Sequence, residues 1–175
     1  MHITIDERWR VRGEASITLP ASPSAAWGQL RDWRRFLTLD PLHERIDLKS
    51  PAHGGPSPRG TTFTIRHRLL GIGPNRDGRL LTWREGRGYA FSDLSRRGVH
   101  VGFPHICTYA LYPLDEHHTR LELGVRGVWT ARWMPRPLIR AWIAFILRAT
   151  EYRVRAEFAA FARWRERRRR SPRPG

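Results

Sequence analysis

The chain closes with the uninterrupted stretch PLIRAWIAFILRATEYRVRAEFAAFARWRERR, residues Pro137–Arg168, which contains no glycine and no internal proline. Its apolar residues recur at helical spacing and fall within an arc of roughly 120° at 100° per residue. These residues are Ile139, Ile143, Ile146, Leu147, Val154, Phe158 and Phe161. A helix of about 30 residues is on the order of 45 Å long, enough to cross a whole β-sheet. The pattern predicts one long amphipathic helix over Pro137–Arg168.

Almost everything before this helix has the patterns of strands. Val11–Leu19 alternates apolar and polar residues, as a half-buried strand does. Ser22 then has the residue type of an N-cap and Pro23 that of a first helical position, which predicts a short helix here. A second short helix is predicted over Trp33–Leu39. Further strands are predicted over 43–49, 61–70, 79–84, 89–95, 103–111 and 119–129, with loops over 51–60 and 71–78.

Seven short strands joined by tight turns predict an antiparallel sheet. A single long helix can cover only one face of that sheet, so the sheet must curl around the helix. The order of elements therefore predicts an α+β fold with a curved seven-stranded antiparallel sheet, two short helices after the first strand, and a long C-terminal helix.

Length and composition restrict the class of protein. At 175 residues the chain has the size of a single domain. The formal net charge is +16, and Lys49 is the only lysine among 32 basic residues. Such a charge is compatible with binding nucleic acid, anionic membrane or acidic ligands, or simply with solubility. Cys107 is the only cysteine, which excludes an internal disulfide framework and zinc-binding cysteine pairs.

No stretch is apolar for long enough to cross a bilayer, since the longest, Ala141–Leu147, is far too short. The N-terminus carries charges where a signal peptide needs an apolar run. The default expectation is a cytoplasmic protein.

Three further stretches, together with the terminal helix, carry a resemblance to a known superfamily. They are ASPSAAWGQLRDWRRFLTLDP (Ala21–Pro41), GRLLTWREGRGYAF (Gly78–Phe91) and HICTYALYPLDEHHTRLEL (His105–Leu123). The chain resembles the START/Bet v 1-like (SRPBCC) superfamily, which includes polyketide cyclases. The resemblance implies the helix-grip fold and a deep cavity between the concave sheet and the C-terminal helix, in which members bind lipids, steroids, hormones or polyketides. The superfamily has no shared catalytic motif, so the resemblance assigns no catalytic residue.

The predicted domain covers residues 1–166, and residues 167–175 form an Arg-rich tail expected to be disordered. Arg167, Arg168, Arg169 and Arg170 could make weak contacts with polyanions or an anionic membrane. They could equally be the solubilising end of a helix. No specific nucleic-acid recognition is expected, because the aromatic residues have the spacing of core residues.

Strand parity predicts a polar cluster inside the cavity. If Phe63 and Ile65 face inward, His67 does too, and the same alternation turns Asp93, His105 and Tyr109 inward. Such groups could orient a ligand, and a histidine could act as an acid or base near neutral pH. The alternative is that each is a single buried polar residue with a backbone or water partner.

Other residues are expected at the edge of the cavity. Gly71–Pro74 lies between strands and is expected at the cavity entrance. Trp129 and Trp142 flank the start of the last helix, where they could gate the cavity, contact a membrane or pack the sheet rim. The complete set of predicted cavity-lining residues is Phe63, Ile65, His67, Trp83, Tyr89, Phe91, Asp93, His105, Tyr109, Trp129, Trp142 and Phe145.

Three functions fit these patterns. The first is a binding module, a carrier or sensor for a small hydrophobic or amphipathic molecule, with no catalytic role. The second is an aromatase/cyclase-like enzyme on a polyketide-type substrate, with His67 and His105 as acid or base and Tyr109 or Asp93 as orienting groups. The third is a polyanion-binding protein acting through the tail. No cofactor and no metal site are expected, since the pair His117 and His118 in a predicted turn lacks a third ligand.

Overall fold

The computed structural model describes residues 1–50, 58–68, 73–95 and 102–170. It is an α+β fold with a large antiparallel sheet and a long C-terminal helix, which confirms the predicted fold class. The strands are β1 (His2–Ile5), β2 (Arg10–Leu19), β3 (His43–Ser50), β4 (Thr62–His67), β5 (Asn75–Arg84), β6 (Gly88–Ser95), β7 (His105–Pro113) and β8 (Thr119–Val128). The helices are α1 (Pro23–Leu30), α2 (Trp33–Leu37) and α3 (Arg136–Arg170).

The described sheet has eight strands rather than the predicted seven, in the spatial order β1-β2-β8-β7-β6-β5-β4-β3. The additional strand is β1, which pairs antiparallel with β2. It was not predicted, because a segment of four residues followed by charged residues is too short to show the alternation of a strand.

Strand β5 begins at Asn75, inside the predicted loop, and Gly78 lies within it. A Cβ at Gly78 would overlap the ring of Phe63 on β4. This glycine therefore makes room for an aromatic side chain and does not mark a turn.

The two short helices follow their predicted signals. The Ser22 side chain accepts a hydrogen bond from the backbone of Ala25, and Pro23 occupies the first turn. The Asp32 side chain caps α2 in the same way through Arg35. Both helices bury their large apolar residues: Trp27, Leu30, Trp33, Phe36 and Leu37.

Helix α3 is continuous, as predicted. Of its predicted apolar stripe, Ile139, Ile143, Leu147, Val154 and Phe158 are buried and the other two are half-buried. The helix packs closely on β2 at Gly13, where a Cβ would lie 3.0 Å from Ile143 and Leu147.

The helix runs two residues beyond its predicted end, to Arg170, so residues 167–170 of the expected tail are helical. Residues 171–175 lie outside the described part of the chain. Within the described residues, no helix combines the length and apolarity that a membrane span requires.

Candidate functional site

An inner cavity lies between the sheet and α3. Its volume is about 70 Å³. This is several-fold less than the roughly 300–1,000 Å³ of a pocket that binds a drug-sized molecule. Its lining residues include Asp40, His43, His67, Asp93, His105, Cys107, Tyr109, Trp142, Ile143, Ile146 and Leu147. The site therefore combines a group of polar side chains on the sheet with apolar side chains of α3 and of β8 (Leu123 and Val125), and it is smaller than the deep cavity expected.

An outer pocket of about 200 Å³ adjoins the inner cavity. The two spaces share the lining residues Leu42, His67, Phe103, His105 and Trp142. Gly73, Pro74 and Trp129 line only the outer pocket, where the sequence placed the entrance; Gly71 and Ile72 lie outside the described residues. A molecule in the outer pocket therefore contacts His67, His105 and Trp142 before it reaches the rest of the inner cavity.

Asp93 is the centre of the polar group. It lies on β6 opposite His105 of β7, and its side chain is fully buried. The Arg76 guanidinium of β5 donates through Nε to Asp93 Oδ1. Arg76 also donates through Nη2 to the backbone oxygens of Asp93, at 3.0 Å, and Phe103, at 2.7 Å. One largely buried arginine therefore joins the aspartate to the segment that precedes β7.

Three histidines face the other carboxylate oxygen of Asp93. From Oδ2, the Nε2 atoms of His67, His105 and His43 lie at 3.0, 3.6 and 3.8 Å respectively. The side chains of these histidines are at most 15% exposed. We call His43, His67, His105 and Asp93 the histidine cluster.

Two of the three histidines are oriented by hydrogen bonds from Nδ1 to backbone carbonyls. His43 Nδ1 lies 2.8 Å from the backbone oxygen of Leu37, and His105 Nδ1 lies 2.7 Å from that of Phe103. A carbonyl oxygen can only accept a hydrogen bond, so each Nδ1 carries a proton. Each Nε2 is thereby directed toward Asp93.

Two polar atoms in the cluster lack a hydrogen bond from the described residues. They are Asp93 Oδ2 and His67 Nδ1, both buried. The 3.0 Å contact between His67 Nε2 and Asp93 Oδ2 does not have hydrogen-bond geometry. A buried polar atom without a partner is costly, so the cluster retains capacity to bind something.

Burial and charge shift the pKa values at this site in different directions. Burial lowers the pKa of His43, but Asp40, Asp93 and the Leu37 carbonyl outweigh burial and raise it to about 8. Burial raises the pKa of Asp93, yet interactions with the three histidines hold it well below the ordinary value. Burial lowers the pKa of His105 despite the nearby Asp93 carboxylate. The cluster thus holds a carboxylate among histidines of unequal basicity.

Two further side chains of the inner cavity, Cys107 and Tyr109, are neutral. Burial raises the pKa of the Cys107 thiol and of the Tyr109 hydroxyl well above their ordinary values. Tyr109 therefore offers a hydroxyl that can donate a hydrogen bond to a ligand.

Of the predicted cavity residues, His67, Asp93, His105, Tyr109 and Trp142 line the inner cavity, and Trp129 lines the outer pocket. Strand alternation was sufficient to bring the first four together. His43 and Arg76 were missed. His43 is opposite His67 in the sheet register, a long-range pairing that no local pattern reveals, and Arg76 stood in a predicted loop.

The remaining predicted residues belong to the packed core or to the surface. Phe63, Ile65 and Phe91 are fully buried within the core cluster. Tyr89 is also buried and stacks on Trp83, whose indole donates to Glu85 at 2.9 Å. Their rings fill the space that the sequence assigned to a ligand.

Phe145 does not line the cavity, since it is 50% exposed. At 100° per residue it lies about 160° around α3 from buried Ile143, on the opposite face of the helix.

No protein-family model matches the chain, and no curated protein matches its sequence. Solved structures match its fold. The Zhui aromatase/cyclase of Streptomyces sp. R1128 is 17% identical with a TM-score of 0.66, covering 86% of this chain and 94% of that one. A START superfamily protein of Mycobacterium smegmatis is 10% identical with a TM-score of 0.67, covering 86% and 98%.

The protein Ara h 8.0201 is 11% identical with a TM-score of 0.63, covering 86% of this chain and 99% of that one. These matches confirm the resemblance in the sequence at the level of the fold. The chain has the START/Bet v 1-like helix-grip fold. At these identities the likeness extends to the fold alone, and function has to be argued from the site.

Proposed function

We propose that this protein binds a compact amphipathic molecule in the inner cavity. The observation that carries the proposal is that the cavity has an apolar wall with a polar wall beside it. The apolar wall consists of Trp142, Ile143, Ile146 and Leu147 of α3 with Leu123 and Val125 of β8, and the polar wall includes His67, His105 and Tyr109. An apolar ring fits against the first wall while a hydroxyl or carbonyl group reaches the donors and acceptors of the second.

The volume restricts the ligand further. A long lipid chain does not fit into about 70 Å³ of free space, whereas a molecule of one or two rings suits it better. The outer pocket gives such a molecule a route past Phe103 and Trp142.

A second function, acid–base chemistry of the aromatase/cyclase kind, is favoured by one specific observation. All four polar residues assigned to it, His67, Asp93, His105 and Tyr109, line the same cavity. A substrate held there lies within reach of a possible acid, a possible base and a hydroxyl donor. In this proposal His67 or His105 exchanges the proton, and Asp93 and Tyr109 orient the reacting groups.

The binding proposal is tested by thermal unfolding with phenol and 2-naphthol, compared with benzene and naphthalene. We expect a rise in Tm with the hydroxylated compounds that exceeds the rise with the hydrocarbons, because only the former engage the polar wall. Equal shifts within each pair, or no shift with any compound, would contradict the proposal.

Matched variants of α3 locate the binding. Ile146→Trp fills the inner cavity from the helix wall, so it should abolish the ligand-induced rise in Tm. Phe145→Trp places the same indole at the neighbouring exposed position and should preserve the rise. Binding that survives Ile146→Trp takes place elsewhere.

Mass spectrometry separates the two functions. A binding module returns the bound molecule unchanged. An aromatase/cyclase-like enzyme given a poly-β-keto substrate analogue should release a product lighter by one or more water molecules, and His67→Gln should slow that loss.

A further inference from the structure

We propose that His43, His67 and Asp93, with His105 as a fourth ligand, bind a divalent transition-metal ion, zinc being the best fit. One possible ligand atom from each of His43, His67 and Asp93 lies within 4.8 Å of the others. Three strands and a long-range register bring these groups together, so the site is a property of the fold and not of a local motif. The proposal does not depend on the organic ligand.

The distances suit a small coordination shell. With metal bonds of about 2.0–2.2 Å, ligand atoms in a tetrahedral site are separated by about 3.3–3.6 Å. The Nε2 atoms of His67, His105 and His43 lie 3.0, 3.6 and 3.8 Å from Asp93 Oδ2, close to that spacing. The ligand atoms of His43, His67 and Asp93 span up to 4.8 Å, so the imidazoles must move toward one another by about 1 Å to hold one ion, and His105 completes the shell from outside that group.

The surrounding hydrogen bonds have the pattern that supports metal ligands. Metal-binding histidines typically donate their other ring N–H to a backbone carbonyl or carboxylate, which fixes the ring and the tautomer. His43 does so to Leu37, and His105 does so to Phe103. Asp93 is held through Oδ1 by Arg76, so that Oδ2 remains available to a metal.

The unpartnered oxygen is the independent sign of a ligand. Asp93 Oδ2 is fully buried, and within the described chain it has no hydrogen-bond donor although three imidazoles face it. The charge of Asp93 is stabilised by Arg76 and the histidines, but Oδ2 has lost its hydration without gaining a hydrogen bond in return. A metal ion placed between Oδ2 and the Nε2 atoms would satisfy all of them together.

The types of ligand atom at the site indicate which cation it would bind. Arg76 neutralises one carboxylate, while Asp40 adds a second carboxylate to the wall of the inner cavity. Imidazole nitrogens select zinc, copper, nickel or iron over magnesium and calcium, which require oxygen ligands. Three imidazoles with one carboxylate, in a site of this spacing, fit zinc best.

The test uses the full-length protein without an affinity tag, freed of metal by a chelator and then titrated with cobalt(II) as a spectroscopic substitute for zinc. We expect saturation at one cobalt per chain, visible absorption bands typical of four-coordinate cobalt, and displacement of cobalt by zinc but not by magnesium. Zinc should also raise Tm.

Two sets of variants assign the ions to the cluster. His67→Gln removes a ligand, and it should weaken cobalt binding by about 100-fold or more, the upper end of what loss of a supporting residue costs. The control variant His117→Gln/His118→Gln removes two imidazoles from an exposed turn, one more than His67→Gln removes from the cluster. It should leave the cobalt affinity and the spectrum unchanged. If His67→Gln does not fold, as judged by circular dichroism, His105→Gln replaces it.

Three results would overturn the proposal. They are the absence of saturable cobalt binding, equal binding by the wild type and the His67 or His105 variant, or loss of binding in the His117/His118 variant. The last result would indicate adventitious binding at the surface. Because no organic molecule is present, failure here leaves the proposed ligand binding standing, and Ile146→Trp should still bind cobalt if both proposals hold.

Discussion

The inner face of the sheet has two ends built on the same three strands. In the aromatic end, Phe63 of β4 and Tyr109 of β7 contact Trp33 and Phe36 of α2 respectively, with ring centroids 5.0 and 5.5 Å apart. Phe91 of β6 stacks on Tyr109 with ring centroids 6.0 Å apart. Phe63 and Phe91 are fully buried, and Tyr109 separates them from the inner cavity.

The polar end lies two to four residues further along each strand. His67 follows Ile65 by two residues on β4, and Asp93 follows Phe91 by two residues on β6. On β7, His105 precedes Cys107 by two residues. Here the inner cavity and outer pocket leave free space, and buried polar atoms lack hydrogen bonds.

The comparison separates stability from function. The aromatic end contributes mainly apolar burial, as a core does, although the buried Tyr89 hydroxyl beside Tyr109 has no hydrogen bond from the described residues. The polar end buries charged groups and polar atoms that lack hydrogen bonds, and both features lower stability. Such features are typical of functional sites, where a bound ligand offsets the loss. The candidate site is therefore confined to one half of the cavity that the fold suggests.

The largest expected effect comes from truncation in the aromatic end. Phe91→Ala should lower the free energy of unfolding by about 3–5 kcal/mol, because it removes a fully buried ring and leaves a void. Denaturant titration measures this loss. His105→Gln at the polar end is the matched comparison and should cost far less; equal losses would remove the distinction between the two ends.

The next effect tests the ion pair. Arg76→Met should cost about 3 kcal/mol, since it leaves Asp93 buried without its cation. Arg76→Met/Asp93→Leu should recover most of the loss, because an apolar pair of similar size suits a buried site. Denaturant titrations of the single and double variants provide the cycle, and additive losses would mean that the two residues do not act as a pair.

A smaller effect is expected beneath Phe63. Gly78→Ala should cost about 2 kcal/mol, as the new methyl group overlaps the ring. Adding Phe63→Leu should make the Gly78→Ala change nearly neutral. If the double variant loses the sum of both effects, backbone conformation and not the ring contact requires glycine here.

Strand alternation made much of the candidate site predictable from the sequence. A period of two is sufficient to place His67, Asp93 and His105 on one face once Phe63 and Phe91 are taken as core. The helix period was likewise sufficient for α3, and applied strictly it also excludes Phe145.

The remainder depends on contacts between distant parts of the chain. His43 joins the cluster because β3 pairs with β4 in the register His43 to His67, which is set by the whole sheet. Arg76 belongs to a strand whose glycine resembles a turn signal. The small cavity volume follows from how rings such as Tyr109 pack, and alternation carries no information on that packing.

The smallest effect on stability concerns Trp142, which forms a wall of both the inner cavity and the outer pocket. Trp142→Ala should cost about 1 kcal/mol or less, since the indole is only half-buried. It should nevertheless speed the modification of Cys107 by N-ethylmaleimide several-fold, because Cys107 lines the inner cavity and is the only thiol. Phe145→Ala removes an exposed ring from the same helix and should leave the rate unchanged. The rates are compared in low denaturant to exclude global unfolding; equal rates for the two variants would mean that Trp142 does not control access to the polar end.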